Sequence, residues 1–404
     1  MIKEKLKVLS YTSLGHFIND GYNLLYPVLI TYYIEIGGLK LWILGVIAII
    51  YTLISGFVST PASLYADRNG KHKEMLILGI IMDGIAAPFL SFPFLIHGFS
   101  YGFMIMGAIF LGIGQSLYHP MGAYILSDAF EGSEAPSAMG INGSFGSLGR
   151  AFMPSMVVLS IMLFGKFYGV NFLGIIAILA GIIINIGLSV KNLEKKKMIK
   201  IKKKSSIRDL GRFKYFIAAL VSVTFFRSMF LSATTTYVPT YITSILNSHY
   251  LMGIILTLAL LTAVIGQPFF GYITSKKGGR FTVSVTITAS TIIFFVFLLA
   301  RNNIWIAAIS YSIYVFFAMS GFPVLLGYVT QVVPKEFSTT SSGFVWGIGN
   351  TIGGAAGIGL MSLLSAMGYT IYYSFWIMMI TSVISCVLLP LLPKRTKLPS
   401  TSNA

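Results

Sequence analysis

The chain has 404 residues and a formal net charge of +17, yet only 10% of its residues are charged and 55% are hydrophobic. Mean hydropathy is +0.82, and a soluble domain would carry about 25% charged residues, so water is excluded as the main solvent of the fold. The single cysteine, Cys386, excludes internal disulfides and cysteine-based metal sites.

An apolar stretch of about 20 residues spans a bilayer as a helix. Twelve such stretches are predicted in chain order. The first, 8–34, carries His16, Asn19, Asp20, Tyr26 and Pro27. The second is 41–64, and the third, 75–97, holds Asp83. The fourth, 101–127, contains His119-Pro120. The fifth, 138–163, is rich in glycine and holds Arg150, and the sixth is 169–190. After a basic segment, 191–212, the seventh, 213–242, carries Arg227, Thr234, Thr235, Thr236, Tyr237 and Tyr241. The eighth and ninth are 250–273 and 280–299, and the tenth, 304–332, contains Tyr311 and Tyr314. The last two are 339–365 and 370–393. Backbone groups in lipid must bond within their own segment, and the alternation of barrel strands is absent, so an all-α membrane protein is expected.

The chain repeats itself. At an offset of 203, Gly140 falls on Gly343, Gly146 on Gly349 and Pro120 on Pro323. At 208, Asp67-Arg68-Asn69-Gly70 falls on Ser275-Lys276-Lys277-Gly278, and at 212 Pro27 falls on Pro239. A duplicated apolar chain of this kind predicts two pseudo-symmetric six-helix bundles, 1–190 and 213–404, joined by 191–212, with the site between the repeats.

Charge placement agrees with twelve crossings. With both termini on one side, that side receives 24 Lys and Arg residues, eleven of them between Lys191 and Lys214, against Lys40, Lys166 and Arg301 opposite. The richer side is expected to be cytoplasmic. The basic balance is therefore a topology signal; Lys-rich 191–212 has no stacking aromatics and is not expected to bind nucleic acid, though it could rest on anionic lipid. The N-terminus reads as the first spanning helix rather than a cleavable signal.

The turn Ser63-Leu64-Tyr65-Ala66-Asp67-Arg68-Asn69-Gly70-Lys71-His72 resembles the loop signature of the major facilitator superfamily, with Ser63 where that signature has Gly. The second-half echo, Gly271 to Gly278, keeps the Gly and loses the Asp. His16-Phe17-Ile18-Asn19-Asp20 before Tyr26-Pro27, and Tyr118-His119-Pro120, are similar to the fosmidomycin-resistance branch of drug exporters. Met121 stands where that branch commonly has an acid, and Ala108 where antiporters often have Arg. The resemblance implies the twelve-helix major facilitator fold and a plasma-membrane transporter, proton-coupled and exporting a small organic molecule.

Charges at bilayer depth are costly and default to functional candidates. Asp20, Arg150 and Arg227 fall near the midplane at about 1.5 Å of rise per residue, with His16, Asp83 and His119 nearer the cytoplasm. His16 and Asp20 share one helical face. Asp20, His16, Asn19, His119, Arg150 and Arg227 are the candidates for proton coupling and substrate; Asp20 could instead simply neutralise Arg150. Asp83 is expected to be a structural partner. Asp67, Arg68, Gly70 and Lys71 are expected to form a conformational latch, with the Asp67 carboxylate at a neighbouring helix N-terminus. Tyr237, Tyr241, Tyr311 and Tyr314 are cavity candidates. The glycine runs at 140–149 and 349–357 read as close helix packing. No metal site or cofactor is expected, and no GxxxxGK[ST] or HExxH motif is present, so a transporter acting as a monomer on an ion gradient is expected rather than an enzyme or receptor. The alternative to efflux is import of a small organic anion, suggested by Arg150 and Arg227.

Overall fold

The computed structural model describes residues 2–130, 134–188, 213–333 and 341–393. The predicted linker 191–212 lies outside them, as do the C-terminal basic residues Lys394, Arg395 and Lys397. Among the described residues the chain is all-helical, with no strand. The helices are α1 (Ile2–Tyr22), α2 (Leu25–Tyr33), α3 (Leu41–Asn69), α4 (His72–Ser91), α5 (Ser100–Ala129) and α6 (Glu134–Gly187). They continue as α7 (Lys214–Leu246), α8 (His249–Lys277), α9 (Gly279–Leu299), α10 (Ile304–Ala318) and α11 (Gly321–Val332). A π-helical segment (Val345–Ile352) then leads into α12 (Gly353–Ala366), and α13 (Ile371–Leu388) follows. Nine of the described helices are long and apolar enough to cross a membrane.

The twelve predicted spans fit these elements, with breaks that hydropathy alone does not reveal. The fifth and sixth run as one assigned helix, α6, interrupted at Gly165, where φ is 81° and ψ is 164°. The first predicted span is two helices, α1 and α2. Pro27 has no N–H to give the Asn23 carbonyl, so the helical ladder cannot run through. Pro323 likewise has no N–H for the Met319 carbonyl, and the tenth span is divided into α10 and α11 there. The first helix begins earlier than predicted because its opening turns, with Lys3, Glu4 and Lys7 exposed, extend past the apolar stretch.

By contact the chain divides into two compact units. The first comprises Met1–Ile199, Ala233–Leu261 and Ile358–Ser374; the second comprises Lys200–Ser232, Thr262–Gly357 and Phe375–Ala404. In the first unit, small residues let helices approach closely. A Cβ on Gly79 of α4 would lie 3.1 Å from the Gly114 carbonyl of α5, and one on Gly84 would lie 2.9 Å from the Gly174 carbonyl of α6. Ser155 of α6 reaches Thr257 of α8 at 2.7 Å. The second unit centres on buried Leu220, Val223, Phe270, Ile287, Val324, Leu325 and Tyr328. Ser385 of α13 donates to the Val223 carbonyl there at 2.9 Å.

The repeat survives in the backbone. Gly70 ends α3 with φ 67°, and its counterpart Gly278, between α8 and α9, has φ 87°. Both turns take a positive φ that glycine enters without cost, Gly70 with ψ 26° and Gly278 with ψ 157°.

Candidate functional site

The expected polar residues of α1, α5 and α6 meet in the first unit. Asp20 is 3% exposed, and its carboxylate is approached from three directions. Arg150 Nη1 of α6 donates to Asp20 Oδ2. His119 Nε2 of α5 lies 3.2 Å from Oδ1, and His16 Nε2, one turn back along α1, lies 3.3 Å from Oδ2. Arg150 is steadied by a 3.1 Å bond from Nη2 to Ser147 Oγ. Asp20 and Arg150 of one expected layer and His16 and His119 of the other thus meet in one cluster, without Arg227 or Asp83. His119 is half-exposed, while Asp20 and His16 are sheltered.

The glycines of α6 make this approach possible. A Cβ on Gly146 would stand 2.6 Å from Asp20 Oδ2 and collide with the His16 ring, and one on Gly149 would collide with the Phe17 carbonyl. The second unit repeats the device: a Cβ on Gly353 would lie 2.6 Å from the Phe225 carbonyl.

A chain of hydrogen bonds runs behind His16. The Thr12 carbonyl can only accept, so the Tyr118 hydroxyl, 2.6 Å away, donates to it. Tyr118 then accepts from Asn142 Nδ2 at 3.1 Å. Asn142 Oδ1 faces His16 Nδ1 at 2.7 Å, an amide oxygen that accepts from it, and His16 Nε2 faces Asp20. Sequence reasoning missed Tyr118 and Asn142. One signal was available: Asn142, Gly146 and Arg150 recur every four residues on one face of the fifth predicted span.

His16 Nε2, His119 Nε2 and the Asp20 carboxylate lie within 4.8 Å of one another. The Arg150 guanidinium already neutralises that carboxylate, and a dication would face a full positive charge at contact distance. The arrangement suits a proton, which can be shared or displaced without removing Arg150.

Asn19 points elsewhere. Its Nδ2 donates to Asp83 Oδ2 at 2.8 Å and to the Gly114 carbonyl at 3.2 Å. Gln115 Nε2 donates to the Asn19 carbonyl at 2.6 Å and to Asp83 Oδ1 at 3.2 Å. Asp83 is fully buried and knits α1, α4 and α5 together. Gln115 also answers the α1 break, because the Asn19 carbonyl lies in the last turn of α1, where helical donors run out.

At the α3–α4 turn, Asp67 Oδ1 accepts from His72 Nε2 at 2.8 Å, and the His72 ring stacks on Tyr124 of α5 with centroids 3.5 Å apart. The carboxylate's partner is thus the side chain of the first residue of α4, rather than helix amides. Lys71 pairs with Glu74 at 3.2 Å, and Arg68 is exposed.

Tyr237 is hydrogen-bonded to Ser362 at 3.0 Å and packs over Gly45, and the Tyr241 ring lies near Tyr372. Tyr311 and Tyr314, in the second unit, are buried among Phe294 and Phe297. Arg227, also in that unit, is 7% exposed and donates to the Ala318 carbonyl at 2.5 Å.

Multiple apolar helices enclosing a buried cluster of charges define a multi-pass membrane transporter. The sequence model of the Major Facilitator Superfamily matches residues 12–358 and 220–404. The chain belongs to that family, and it is a transporter rather than an enzyme. The fold is similar to that of a bacterial homologue of the human lysosomal transporter Spinster. Its inward-facing, unoccupied structure aligns with a TM-score of 0.77 at 14% identity, covering 96% of this chain and 97% of that one. The inward-facing, occupied structure of a bacterial Spinster homologue aligns at 0.73 and 15% identity, with the same coverage. No curated protein matches by sequence. The similarity to the fosmidomycin-resistance branch rests on the residues quoted above alone.

Proposed function

We propose that the chain is a secondary transporter that exports a small organic molecule across the plasma membrane by alternating access, coupled to protons through Asp20, His16, His119 and Arg150. One observation carries this reading: a single buried carboxylate, Asp20, is shared by a guanidinium and two imidazoles. Adding or removing one proton changes which of these groups it holds, and a chain without a nucleotide-binding loop needs an ion gradient for uphill work. The relatives solved in unoccupied and occupied inward-facing states support alternating access. The repeat supports two six-helix bundles, 1–190 and 213–404, working as a monomer, and the 24-to-3 split of basic residues supports cytoplasmic termini and linker.

Reconstitution into proteoliposomes with an imposed pH gradient tests the coupling. Asp20→Asn should abolish gradient-driven transport and spare substrate exchange without a gradient. Gradient-driven transport at the wild-type rate by a folded Asp20→Asn protein would rule out the coupling role. The same assay separates export from a second reading, proton-driven import of an organic anion, which the buried Arg227 favours. An inward proton drive should expel substrate under the first and accumulate it under the second. The Asp67–His72 pair is the proposed latch, with Arg68, Gly70 and Lys71 shaping its turn. Asp67→Asn should slow turnover and leave substrate affinity unchanged, whereas equal turnover at matched protein levels would reduce the pair to a solvated turn.

A further inference from the structure

Three irregularities meet at Arg227 and Ser228 of α7. The first is electrostatic. Arg227 is buried at 7% exposure, Nη2 caps the Ala318 carbonyl at 2.5 Å, and Nη1 has no partner among the described residues. From residue 213 onward the sequence contains a single acid, Glu336, which lies outside the described residues. No described helix of the second half therefore offers a carboxylate to Arg227. An arginine does not deprotonate in proteins, and a buried cation without an anion is strongly disfavoured.

The second and third irregularities are in the backbone. α10 ends at Ala318 and α11 begins at Gly321, a helix break of the kind that transporters place at binding sites. Gly321 has no side chain where a Cβ would stand 2.7 Å from Arg227 Nη2, which leaves the guanidinium its room. Ser228 Oγ donates to Asn350 Oδ1 at 3.0 Å, and Asn350 lies in the π-helical segment Val345–Ile352. Such π segments recur at functional sites. Capping α10 accounts for Nη2 alone, and a neutral donor would serve that purpose. It does not account for a full positive charge or for Nη1.

We propose that Arg227, at the α10–α11 break, is an oxyanion-binding subsite that takes the carboxylate or other oxyanion group of a small organic substrate. The planar fork of a guanidinium suits such groups. The inference rests on the transporter reading but not on the direction of transport. Arg227 sits on the order of 20 Å along its helix from the cytoplasmic end, too deep for a lipid headgroup at the surface, so the oxyanion belongs to a diffusing solute.

Binding can be measured on the full-length protein in nanodiscs of zwitterionic lipid, by calorimetry and thermal stability. The probes are benzoate, phenylphosphonate and the neutral isostere benzamide. Saturable binding is expected for one or both anions and none for benzamide. Arg227→Gln should weaken it about tenfold or more. Arg227→Lys should be intermediate, and Arg301→Gln, an exposed arginine outside the site, should bind like wild type. The proposal is overturned if neither anion binds better than benzamide, or if Arg227→Gln binds like wild type. It is also overturned if stabilisation requires added anionic lipid, which would make Arg227 a lipid contact. Anion binding without exchange of the bound anion across proteoliposomes would leave the subsite standing and remove the transport reading instead.

Discussion

Glu35 and His249, 214 residues apart in the chain, share a hydrogen bond of 2.6 Å. Glu35 follows α2, His249 opens α8, and both belong to the first compact unit. The other Glu35 oxygen accepts from Lys166 Nζ at 2.6 Å. Thr31 Oγ1 lies 2.7 Å from the Val28 carbonyl and 3.1 Å from His249 Nδ1, and the imidazole stacks on Tyr32 with centroids 3.9 Å apart.

Burial pushes the Glu35 carboxyl upward, but the hydrogen bonds and charges of Lys166 and His249 outweigh it and hold the group below its ordinary value of 4.5. A carboxyl lowered on folding adds stability above its unfolded pKa and loses it as pH falls through the folded value. The thermal stability of wild type should exceed that of Glu35→Gln at neutral pH, by a small margin because the pair is half-exposed. The margin should close as pH drops below 4.5. A margin independent of pH would show that the carboxylate charge contributes nothing there.

The Asp20–Arg150 pair predicts a compensating double change. Asp20→Asn leaves a guanidinium without its carboxylate, at a cost of about 3–5 kcal/mol where the site stays closed to water. Arg150 is about a quarter exposed, so the loss should fall at or below the low end. Asp20→Asn with Arg150→Gln should recover most of the melting temperature without recovering gradient-driven transport. Recovery of both would identify the pair as structural.

Tyr118 acts on His16 through Asn142 and is a positioning residue. Tyr118→Phe removes the hydroxyl that bonds the Asn142 amide, a loss of about 0.5–1.5 kcal/mol for one hydrogen bond. Proton-driven transport should slow about three- to tenfold, with substrate affinity unchanged. Nitrogen NMR of labelled histidine should find neutral His16 protonated at Nδ1 in wild type and mixed between Nδ1 and Nε2 in the variant. An Nε2-protonated ring in wild type would refute the assigned polarity.

Gly146 and Gly140 lie on the same helix with opposite surroundings. Gly146→Ala should cost about 1–3 kcal/mol from overpacking and abolish transport, because its Cβ meets His16 and Asp20. Gly140→Ala has nothing within 4 Å and should be neutral or slightly stabilising. Equal melting temperatures for the two variants would contradict the close α1–α6 approach.

The sequence by itself determined the solvent, the helical class, the family and the repeat. These follow from patterns local to the chain: apolar runs of fixed length, a glycine turn at Gly70 echoed at Gly278, and basic residues between spans. It also determined which charges are expensive enough to have partners, since Asp20, Arg150 and Arg227 stand inside apolar runs. Tertiary structure alone decided who the partners are. That Asp20 holds Arg150, His16 and His119 while neighbouring Asn19 turns to Asp83 depends on the rotation of α1 against α5 and α6, which no periodicity encodes. That Tyr118 and Asn142 back His16 depends on side chains from α5 and α6 meeting behind α1. The breaks at Pro27 and Pro323 lie between. The missing N–H is visible in the sequence, but which side chains serve the carbonyls around each break is tertiary: Gln115 bonds Asn19 near one, and Arg227 bonds Ala318 beside the other.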